Sequence, residues 1–452
     1  MSPDNTIEIQ TSRLPRIVVV GGGFAGIEFI KELDTRQYQV VLLDRHNYHT
    51  FQPLLYQVAT AGLEPDSIAE PLRKVFKNTP NFLFRVANVE RVDTNTNCVR
   101  TDIGTIKYDF LVVATGTRTN YFGNDAIREA TLPLKQIPHA LDMRSHMLQT
   151  FEAALMETDP LKKEALLSFA IVGGGPTGVE LAGSLSELRS HVLPNDYPEL
   201  DFKQMKIHLI EGTGRVLNGM SDYAGKRALK DLQKFGVDVM LNALVDKVEG
   251  DAITLKDGRI LPSANVVWAA GVTGNLFEGF APEKMGRAAR LKVNEFNQVE
   301  GFANVYALGD IATMAADPDY ANGHPQMAPA AIQQGQHLGK NFNRLTRNQP
   351  LKPFRYFNKG VMATIGRNRA VVDLPWPKWS YGGFIAWLSW MFIHLLYLVG
   401  FRNKFIVLWN WIYNFFTYDH GTRLIIRPYI KHRKVPTNED AKAIIETEAT
   451  VA

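Results

Sequence analysis

Apolar residues occur in short continuous runs along most of the chain, and a cluster of glycines follows the two clearest runs. Residues 16–20 and 169–172 are β-branched or otherwise apolar almost throughout, which is typical of strands buried in a parallel sheet. After each glycine cluster, apolar residues recur at helical spacing. The two segments, 18–30 and 170–182, align without a gap 152 positions apart, so the sequence predicts the same strand, turn and helix twice.

Both glycine clusters have the spacing G-x-G-x-x-G. A strand, a glycine turn and a helix in this order present backbone N–H groups and the positive end of the helix to a diphosphate. A further predicted strand ends at an acid in each repeat, and such an acid accepts hydrogen bonds from a ribose 2′-hydroxyl but repels a 2′-phosphate. The pattern therefore predicts two bound dinucleotides and favours NADH over NADPH. The predicted cofactor-binding residues are Gly21, Gly23, Phe24, Ala25, Gly26, Asp44 and Arg45 in the first repeat, and Gly173, Gly175, Pro176, Thr177, Gly178 and Glu211 in the second.

A protein that holds two dinucleotides usually moves a hydride between them, and a flavin suits a nicotinamide because it releases electrons singly or in pairs. Three later segments, 108–120, 264–275 and 302–314, each run from a predicted strand into a glycine turn. Together with the repeats, they make the chain resemble the two-dinucleotide-binding-domain flavoproteins, which include the pyridine nucleotide-disulfide reductases. The resemblance implies a tightly bound, non-covalent FAD, with NADH as a substrate. It adds Ala114, Thr115, Gly116, Gly309 and Asp310 as FAD contacts, and Ala270 and Gly271 as NADH contacts.

The order of these segments predicts an α/β fold with two Rossmann-like dinucleotide-binding domains. We expect the FAD domain to comprise residues 13–135 and 286–345, because an NADH domain at 165–285 is inserted between its two parts. A membrane-associating helical region with a tail follows at 346–452.

Composition narrows the choice of function. The 452 residues are 45% hydrophobic and 21% charged, with a formal net charge of +4, which fits a globular protein of two or three domains and gives no case for nucleic acid as a partner. The single cysteine, Cys98, is interpreted as a strand residue. One cysteine cannot supply the pair that disulfide reductases need, and it disfavours sulfide:quinone oxidoreductases. His46 and His49 are too few for a metal site, so we expect no metal.

Three segments outside the glycine loops resemble the type II NADH dehydrogenases, the single-subunit NADH:quinone oxidoreductases. They are FQPLLYQVATAG at 51–62, APAAIQQ at 328–334 and KGVMATIGR at 359–367. By this resemblance, the first segment passes along the flavin, with Gln52, Pro53 and Leu54 near the isoalloxazine ring.

The same resemblance gives three residues catalytic roles. Glu180 would face the nicotinamide, although the helix dipole alone also favours an acid early in a helix, as at Glu28 in the first repeat. Gln333 would lie at the quinone site, or would be only a helix residue near the flavin. Lys359 would pair with an acid near the active site, or would cap a strand. Where the family commonly has a glutamine, this chain has Pro329, which suits the first turn of a helix but offers no amide to a quinone.

Residues 381–401 are 21 positions without Asp, Glu, Lys or Arg, and a second apolar stretch follows at 405–418. As one helix, the first stretch would extend about 32 Å, enough to cross a hydrocarbon core of about 30 Å. Tryptophans and tyrosines spread along both stretches favour helices that lie on one leaflet instead. A single span and a buried dimer interface are the two other interpretations. The tail at 431–452 is polar, and we expect it to be loosely ordered.

The sequence thus predicts an NADH:quinone oxidoreductase that does not pump protons. By the resemblance, a hydride passes from NADH to N5 of FAD, and two electrons then pass to a membrane quinone, either menaquinone or ubiquinone. Membrane lipid and quinone are the expected partners, a homodimer is a family expectation, and the expected location is peripheral, on the cytoplasmic face of the cell inner membrane. Two alternatives stay open: a reductase of the same fold that serves a protein acceptor, and an NADH-responsive flavoprotein sensor or scaffold.

Overall fold

The computed structural model describes residues 6–419 and 421–430, so the predicted tail at 431–452 lies outside the described residues. The described chain forms two parallel sheets of five strands, each with flanking helices, together with smaller sheets of two or three strands. This is the predicted α/β fold with two Rossmann-like units. The residue limits of the domains stay predictions.

The first unit starts with a strand that leads into a glycine loop and a helix. In chain order, its elements are β1 (Arg16–Val20), α1 (Phe24–Glu32), β2 (Gln39–Asp44), β3 (Tyr48–Thr50), α2 (Leu55–Ala59), β4 (Ala69–Pro71), α3 (Leu72–Val75), β5 (Phe82–Val86), β6 (Val89–Asp93), β7 (Cys98–Thr101), β8 (Gly104–Lys107), β9 (Phe110–Val113), β10 (Thr117–Thr119), α4 (Asp125–Ala130) and β11 (Leu132–Pro133). Cys98 lies in a strand, as predicted.

Two helices connect the first unit to the second, which repeats the strand, loop and helix. The elements are α5 (Ile137–Met156), α6 (Pro160–Leu166), β12 (Phe169–Val172), α7 (Pro176–Glu187), α8 (Leu193–Asp196), β13 (Ile207–Ile210), α9 (Asp222–Lys234), β14 (Asp238–Met240), β15 (Val245–Glu249), β16 (Ala252–Leu255), β17 (Ile260–Pro262), β18 (Asn265–Trp268) and β19 (Val272–Gly274).

The chain then returns to the first unit and ends in a small antiparallel sheet and two helices. These elements are β20 (Leu291–Val293), β21 (Val305–Ala307), β22 (Ala312–Met314), α10 (Ala328–Leu345), β23 (Val361–Gly366), β24 (Arg369–Leu374), β25 (Trp379–Gly383), α11 (Phe384–Tyr397) and α12 (Phe401–Thr417).

The first large sheet has the parallel order β21-β9-β1-β2-β5. Its central strand β1 is buried on both faces, which explains its unbroken apolar run. Its edge strand β21 pairs with β9 but comes from the chain beyond the second unit. The first unit is therefore completed only after the second has been inserted, as the sequence order predicted.

The second large sheet has the parallel order β11-β18-β12-β13-β14. Here β12 takes the place that β1 has in the first sheet, between β13 and β18. The two sheets therefore place their glycine loops at equivalent carboxyl ends, where α/β proteins bind ligands.

Helix α10 packs closely across α1 because two of its glycines face that helix. A Cβ at Gly335 would clash with the carbonyl of Ala25, and a Cβ at Gly339 would lie 2.9 Å from the carbonyl of Phe29. This close contact fixes the N-terminus of α10 beside the first glycine loop.

The C-terminal sheet packs against α7 in a similar way, since a Cβ at Gly183 would clash with the carbonyl of Ile365. Beyond it, the 21 residues without Asp, Glu, Lys or Arg do not form one helix. They comprise the end of β25, the 14-residue helix α11 and a break before α12. Gly383 and Gly400, with φ of +90° and +89°, make the two boundaries.

Helix α11 extends about 21 Å at 1.5 Å per residue, which is less than a bilayer core. Within the described residues, no helix combines the length and the apolar character that crossing a membrane requires.

Candidate active site

One cavity of about 910 Å³, here called the main cavity, joins the first glycine loop, the N-terminus of α7 and helix α11. Most residues that the sequence singled out line it, although they come from distant parts of the chain. They are Gly21, Gly23, Phe24, Ala25, Asp44, Arg45, Gln52, Pro53, Ala114, Thr115, Gly116, Pro176, Thr177, Glu180, Gly309, Asp310 and Lys359.

The three glycines of the first loop have three different functions. Gly21 has a φ of +110°, and a Cβ there would clash with the carbonyl of Ala114 on the neighbouring strand. A Cβ at Gly26 would clash with the carbonyl of Gly21, so this glycine lets the helix approach the strand. A Cβ at Gly23 would meet no described atom within 4 Å. Gly23 therefore keeps open the space in front of the α1 N-terminus, where a diphosphate binds.

The second loop repeats this geometry. Gly173 has a φ of +115° and lies against the carbonyl of Ala269, and a Cβ at Gly178 would clash with the carbonyl of Gly173. A Cβ at Gly175 would meet no described atom within 4 Å. The N-terminus of α7 is thus built for the same kind of anion as that of α1.

The two acids that follow the second strand of each repeat brace their own glycine loops. Asp44 Oδ2 accepts a hydrogen bond from the Gly22 N–H at 2.6 Å, and Glu211 Oε2 accepts one from the Gly174 N–H at 2.6 Å. One carboxylate oxygen of each acid therefore holds the side chain beside its glycine loop through a hydrogen bond. This is the position in which an acid of this fold contacts a ribose.

The main cavity contains polar atoms that the protein itself does not satisfy. Thr115 Oγ1 and His49 Nε2 are buried without a hydrogen-bond partner among the described residues, and both side chains line the cavity. The other ring nitrogen of His49 lies 3.1 Å from the Gly22 carbonyl, so Nδ1 carries the proton and Nε2 is an acceptor. Burial lowers the pKa of His49 to about 4, so the ring is neutral. Unpaired buried polar atoms of this kind indicate a bound polar ligand.

Asp310 and Lys135 both line the main cavity, and their opposite charges interact. Burial raises the pKa of Asp310, against the opposing effects of Lys135 and Arg290. Burial also lowers the pKa of Lys135. The sequence analysis missed Lys135, whose position shortly after the short strand β11 was the one signal that could have marked it.

A buried hydrogen-bond chain that the sequence analysis also missed supports the turn at Gly309. Asp317 accepts from His324 Nε2 at 2.9 Å, so His324 Nδ1 is the acceptor for the Gln334 amide at 3.2 Å. The amide oxygen of Gln334 is then directed at the Gly309 N–H, 2.7 Å away. These three hydrogen bonds fix the turn that carries Asp310.

Glu180 is buried, with 8% of its surface exposed, and lines the main cavity. Burial raises its pKa to about 8, although the Thr364 backbone and the Trp390 indole favour the ionised form. At neutral pH, Glu180 is therefore mostly protonated, and it has both a hydrogen to donate and an oxygen to accept with.

Helix α11 supplies a wall that the motifs did not predict, formed by Ile393, His394 and Tyr397. Lys359 lies in this wall and donates to the Tyr397 hydroxyl at 2.9 Å, rather than to an acid. Pro329 lies in the first turn of α10, as expected, and also lines the cavity.

Some predicted residues do not line the main cavity. Gln333 turns away from it, since both its amide atoms bond to the backbone of Phe357, at 2.9 and 3.0 Å. Leu54 is fully buried in the hydrophobic core, because the 3₁₀ turn Gln52–Leu54 directs it inward while Gln52 and Pro53 face the cavity. The other predicted residues outside the cavity lining are Gly26, Gly173, Gly175, Gly178, Glu211, Ala270 and Gly271.

The fold and the main cavity define a flavin- and NADH-binding oxidoreductase of the two-dinucleotide-domain class. Residues 15–335 match the model of the pyridine nucleotide-disulphide oxidoreductase family, and residues 358–418 match the NDH2 C-terminal domain.

Relatives identify the branch of this class. The chain is 36% identical to the type II NADH:quinone oxidoreductase Ndh of Mycobacterium tuberculosis, and the match covers 93% of this chain and 92% of that protein. It is 30% identical to the mitochondrial internal alternative NAD(P)H-ubiquinone oxidoreductase A1 of Arabidopsis thaliana, over 89% of this chain and 84% of that protein. The structure of NDH2 from Plasmodium falciparum in complex with NADH has the same fold, with a TM-score of 0.84 at 21% identity over 92% of this chain and all of that one. The chain belongs to the type II NADH:quinone oxidoreductase family, and it is an NADH:quinone oxidoreductase. This confirms the predicted function over its two alternatives.

Proposed function

We propose that the flavin of this enzyme is FAD and that the main cavity holds it. One observation carries the proposal: a single cavity reaches from the first glycine loop to both the N-terminus of α7 and helix α11. The open space at Gly23 suits a diphosphate, and Asp44 suits a ribose. Thr115 Oγ1 and His49 Nε2 offer hydrogen bonds that the protein leaves unused. A bound flavin supplies the ability to take a hydride from a nicotinamide and to give two electrons to a quinone.

We place NADH at the second loop, with its diphosphate at Gly175 and its nicotinamide end at Glu180. Pro176 and Thr177 are exposed at the rim of the cavity, so a dinucleotide bound at this loop reaches the interior past them. The protonated Glu180 carboxyl holds the nicotinamide carboxamide, because it can both donate and accept. Ala270 and Gly271 follow β18 beside the same loop and are proposed as further contacts.

We place the quinone on the α11 side of the cavity, beside Tyr397 and Lys359. There the Lys359 ammonium and the Tyr397 hydroxyl already share a hydrogen bond and present donors to a quinone oxygen. Pro329 lines the cavity but has no side-chain amide to contribute. Gln333 contributes indirectly, because it fixes the backbone at Phe357, two positions before Lys359.

Helices α11 and α12 provide the surface that would rest on the membrane. Their exposed faces are strongly apolar, and Arg402 and Lys404 lie in the first turn of α12, where basic side chains suit lipid headgroups. The apolar side chains that are exposed on these helices include Phe384, Ile385, Leu388, Phe392, Leu396, Phe401, Phe405, Trp409 and Phe416. We propose a peripheral location on the cytoplasmic face of the inner membrane. A homodimer, and a reaction that pumps no protons, stay predictions from the family resemblance.

The test uses detergent-purified, full-length protein kept free of oxygen. NADH should bleach the oxidised-flavin absorbance within turnover time, and a quinone should restore it. Chromatography of the released cofactor should identify FAD. Release of FMN, or of no flavin, would overturn the FAD assignment.

The membrane proposal has a separate readout, flotation with liposomes. Replacing Phe392 and Phe405, which are 63% and 64% exposed, with serine should reduce flotation without loss of flavin. Unchanged flotation would refute the proposed contact face.

A further inference from the structure

Phe122 combines two features that folded proteins usually avoid. Its side chain is 68% exposed, and its backbone lies in the left-handed region, with a φ of +54°. Glycine adopts this conformation without steric cost, whereas for a bulky residue it is a genuine outlier. Strained residues of this kind persist only where the surrounding structure holds them, and they cluster at ligand sites. Phe122 is therefore a candidate for contact with a ligand.

The turn that carries Phe122 is fastened to the second unit by hydrogen bonds of Asn120. The side-chain oxygen of Asn120 accepts from the Phe122 N–H at 2.9 Å. The backbone N–H of Asn120 donates to the Gly271 carbonyl at 3.1 Å, and its carbonyl accepts from the Trp268 indole at 2.8 Å. Tyr121 stacks on Trp268, with ring centroids 6.1 Å apart. Because Trp268 is the last residue of β18, the strained turn has a fixed position at the carboxyl end of that strand.

The ring of Phe122 lies over Gly271. A Cβ at Gly271 would be 3.7 Å from Cζ of Phe122, and Gly271 itself has a φ of +136°. The next residue, Val272, lines the main cavity, whereas Phe122 does not. The ring therefore stands beside the way from the second loop into the main cavity, rather than inside the cavity.

The strand order of the second sheet gives the direction in which a dinucleotide extends. The strand before the glycine loop, β12, lies between β13 and β18. Glu211 follows β13 and Gly271 follows β18, so these two residues lie on opposite sides of the loop. With one ribose at Glu211 and the diphosphate at Gly175, the other half of the dinucleotide crosses the end of β18. Because Val272 lines the main cavity and Glu211 does not, the half that crosses β18 is the nicotinamide half.

We propose that Phe122 is a binding residue for NADH, and that its ring covers the nicotinamide half of the dinucleotide where this half passes Gly271. The proposal rests on the placement of NADH at the second loop. The glycine lets the ligand approach the backbone closely, and the ring offers an apolar face to the nicotinamide and its ribose. Since the strained turn fixes the ring before NADH arrives, less ordering is needed on binding.

The test follows flavin bleaching in the full-length, flavin-loaded enzyme by anaerobic stopped flow. The dependence of the bleaching rate on NADH concentration gives the dissociation constant of NADH. Phe122→Gly removes the ring and adopts the left-handed backbone without strain, so the turn should survive. NADH should bind about 5- to 30-fold more weakly, as expected for the loss of a stacked aromatic ring. Reoxidation of the reduced flavin by a quinone should keep the parent rate.

Two fragments of NADH show which half of the molecule the ring contacts. Reduced nicotinamide mononucleotide should bind to Phe122→Gly more weakly than to the parent, by a factor similar to that for NADH. AMP should compete with NADH as well as it does in the parent, with an unchanged inhibition constant. Phe122→Tyr keeps the ring and should bind NADH within about twofold of the parent.

Ile260→Ala is the matched control. Ile260 is 65% exposed in the same unit, but it lies on β17, in a separate sheet of three strands. Its loss should leave the dissociation constant of NADH unchanged. If Phe122→Gly loses flavin or unfolds at a lower temperature, Phe122→Asn provides the same test, because asparagine also tolerates the left-handed region.

A dissociation constant for NADH within about twofold of the parent in Phe122→Gly would overturn the proposal. Weaker binding of AMP in this variant would also overturn it, because a loosened loop or a contact with the adenosine half would then explain the result. Gly175→Val separates this inference from the proposed NADH site. Normal NADH binding by Gly175→Val would refute the second loop as that site, whereas weak binding there with normal binding by Phe122→Gly would refute only the function of Phe122.

Discussion

Glu28 and Glu180 occupy the same position in the two repeats, two residues after the last glycine of each loop. Glu28 is partly exposed, accepts from the Gln336 amide at 2.8 Å and pairs with Lys31 at 2.9 Å. Glu180 is buried against Thr364 and the Trp390 indole, and its pKa is raised to about 8. The same residue at the same motif position thus forms an ion pair near the surface in one repeat and is a buried group with a raised pKa, lining the main cavity, in the other.

The loops themselves differ in a related way. The first loop lies inside the main cavity, whereas the second reaches it only through Pro176, Thr177 and Glu180. A cofactor that stays bound through turnover suits the first position, and a substrate that enters and leaves suits the second. The repeated motif therefore supplies the same binding geometry twice, and the residues around each loop set how readily a bound ligand dissociates.

The largest expected effect comes from filling the open space in each loop. Gly23 and Gly175 have ordinary negative φ values, −77° and −71°, and open space for a side chain, so valine at either position leaves the fold intact. Gly23→Val should purify without flavin. Gly175→Val should keep its flavin and show a KM for NADH raised about 10- to 100-fold, the cost of one or two charge-assisted hydrogen bonds.

The flavin absorbance ratio and steady-state kinetics measure these two effects. Equal flavin loss in both variants would contradict the distinction between a resident cofactor and an exchanging substrate.

The next effect concerns the protonation of Glu180. Because its pKa is raised from 4.5 to about 8, the folded protein binds more protons than the unfolded chain in this window, and its stability falls as the pH rises from 4.5 to 8. Glu180→Gln removes this penalty. The variant should be more stable than the parent by about 2–5 kcal/mol at about pH 8.5 and by much less at about pH 5.

Thermal unfolding of the flavin-loaded proteins at both pH values provides the measurement. The matched variant, Glu28→Gln, loses a partly exposed ion pair and should be less stable by about 0.5 kcal/mol, with little dependence on pH in this range. A similar pH dependence for both variants would show that the two glutamates are equivalent after all.

The smallest effect concerns the choice between NADH and NADPH. Glu211→Gln keeps an oxygen for the Gly174 N–H but removes the charge that repels a 2′-phosphate. The kcat/KM for NADPH should rise about tenfold, or about 1.4 kcal/mol, while that for NADH changes less. Asp44→Asn in the first repeat should leave this preference unchanged, and a shift of similar size there would contradict the assignment of the two loops.

Much of the candidate site could be predicted because it depends on local backbone geometry. A positive φ at Gly21 and the close helix approach at Gly26 require glycine wherever this loop occurs, so the spacing alone revealed both loops. Gln333 and Leu54 could not be placed in the same way. Whether a residue on a helix or turn faces a cavity depends on a rotation that its own sequence does not specify, and both side chains turn away from the main cavity.

The C-terminal region shows the same limit. Its apolar composition predicted contact with an apolar phase, but Gly383 and Gly400 divide the 21-residue stretch into a strand end, a helix and a turn. Composition over a window does not specify where glycines take a positive φ, because the neighbouring sheet and helices impose that conformation.

The sequence by itself determined the two repeats, the glycines and acids of their loops, the order of the split units and the family, because these follow from steric rules within short segments. Only the tertiary structure decided the environments of Glu28 and Glu180, and the direction of Gln334, rather than Gln333, toward the turn at Gly309. A carboxyl group acquires its pKa from residues that lie nearby in space, and for Glu180 these residues, Thr364 and Trp390, lie far along the chain.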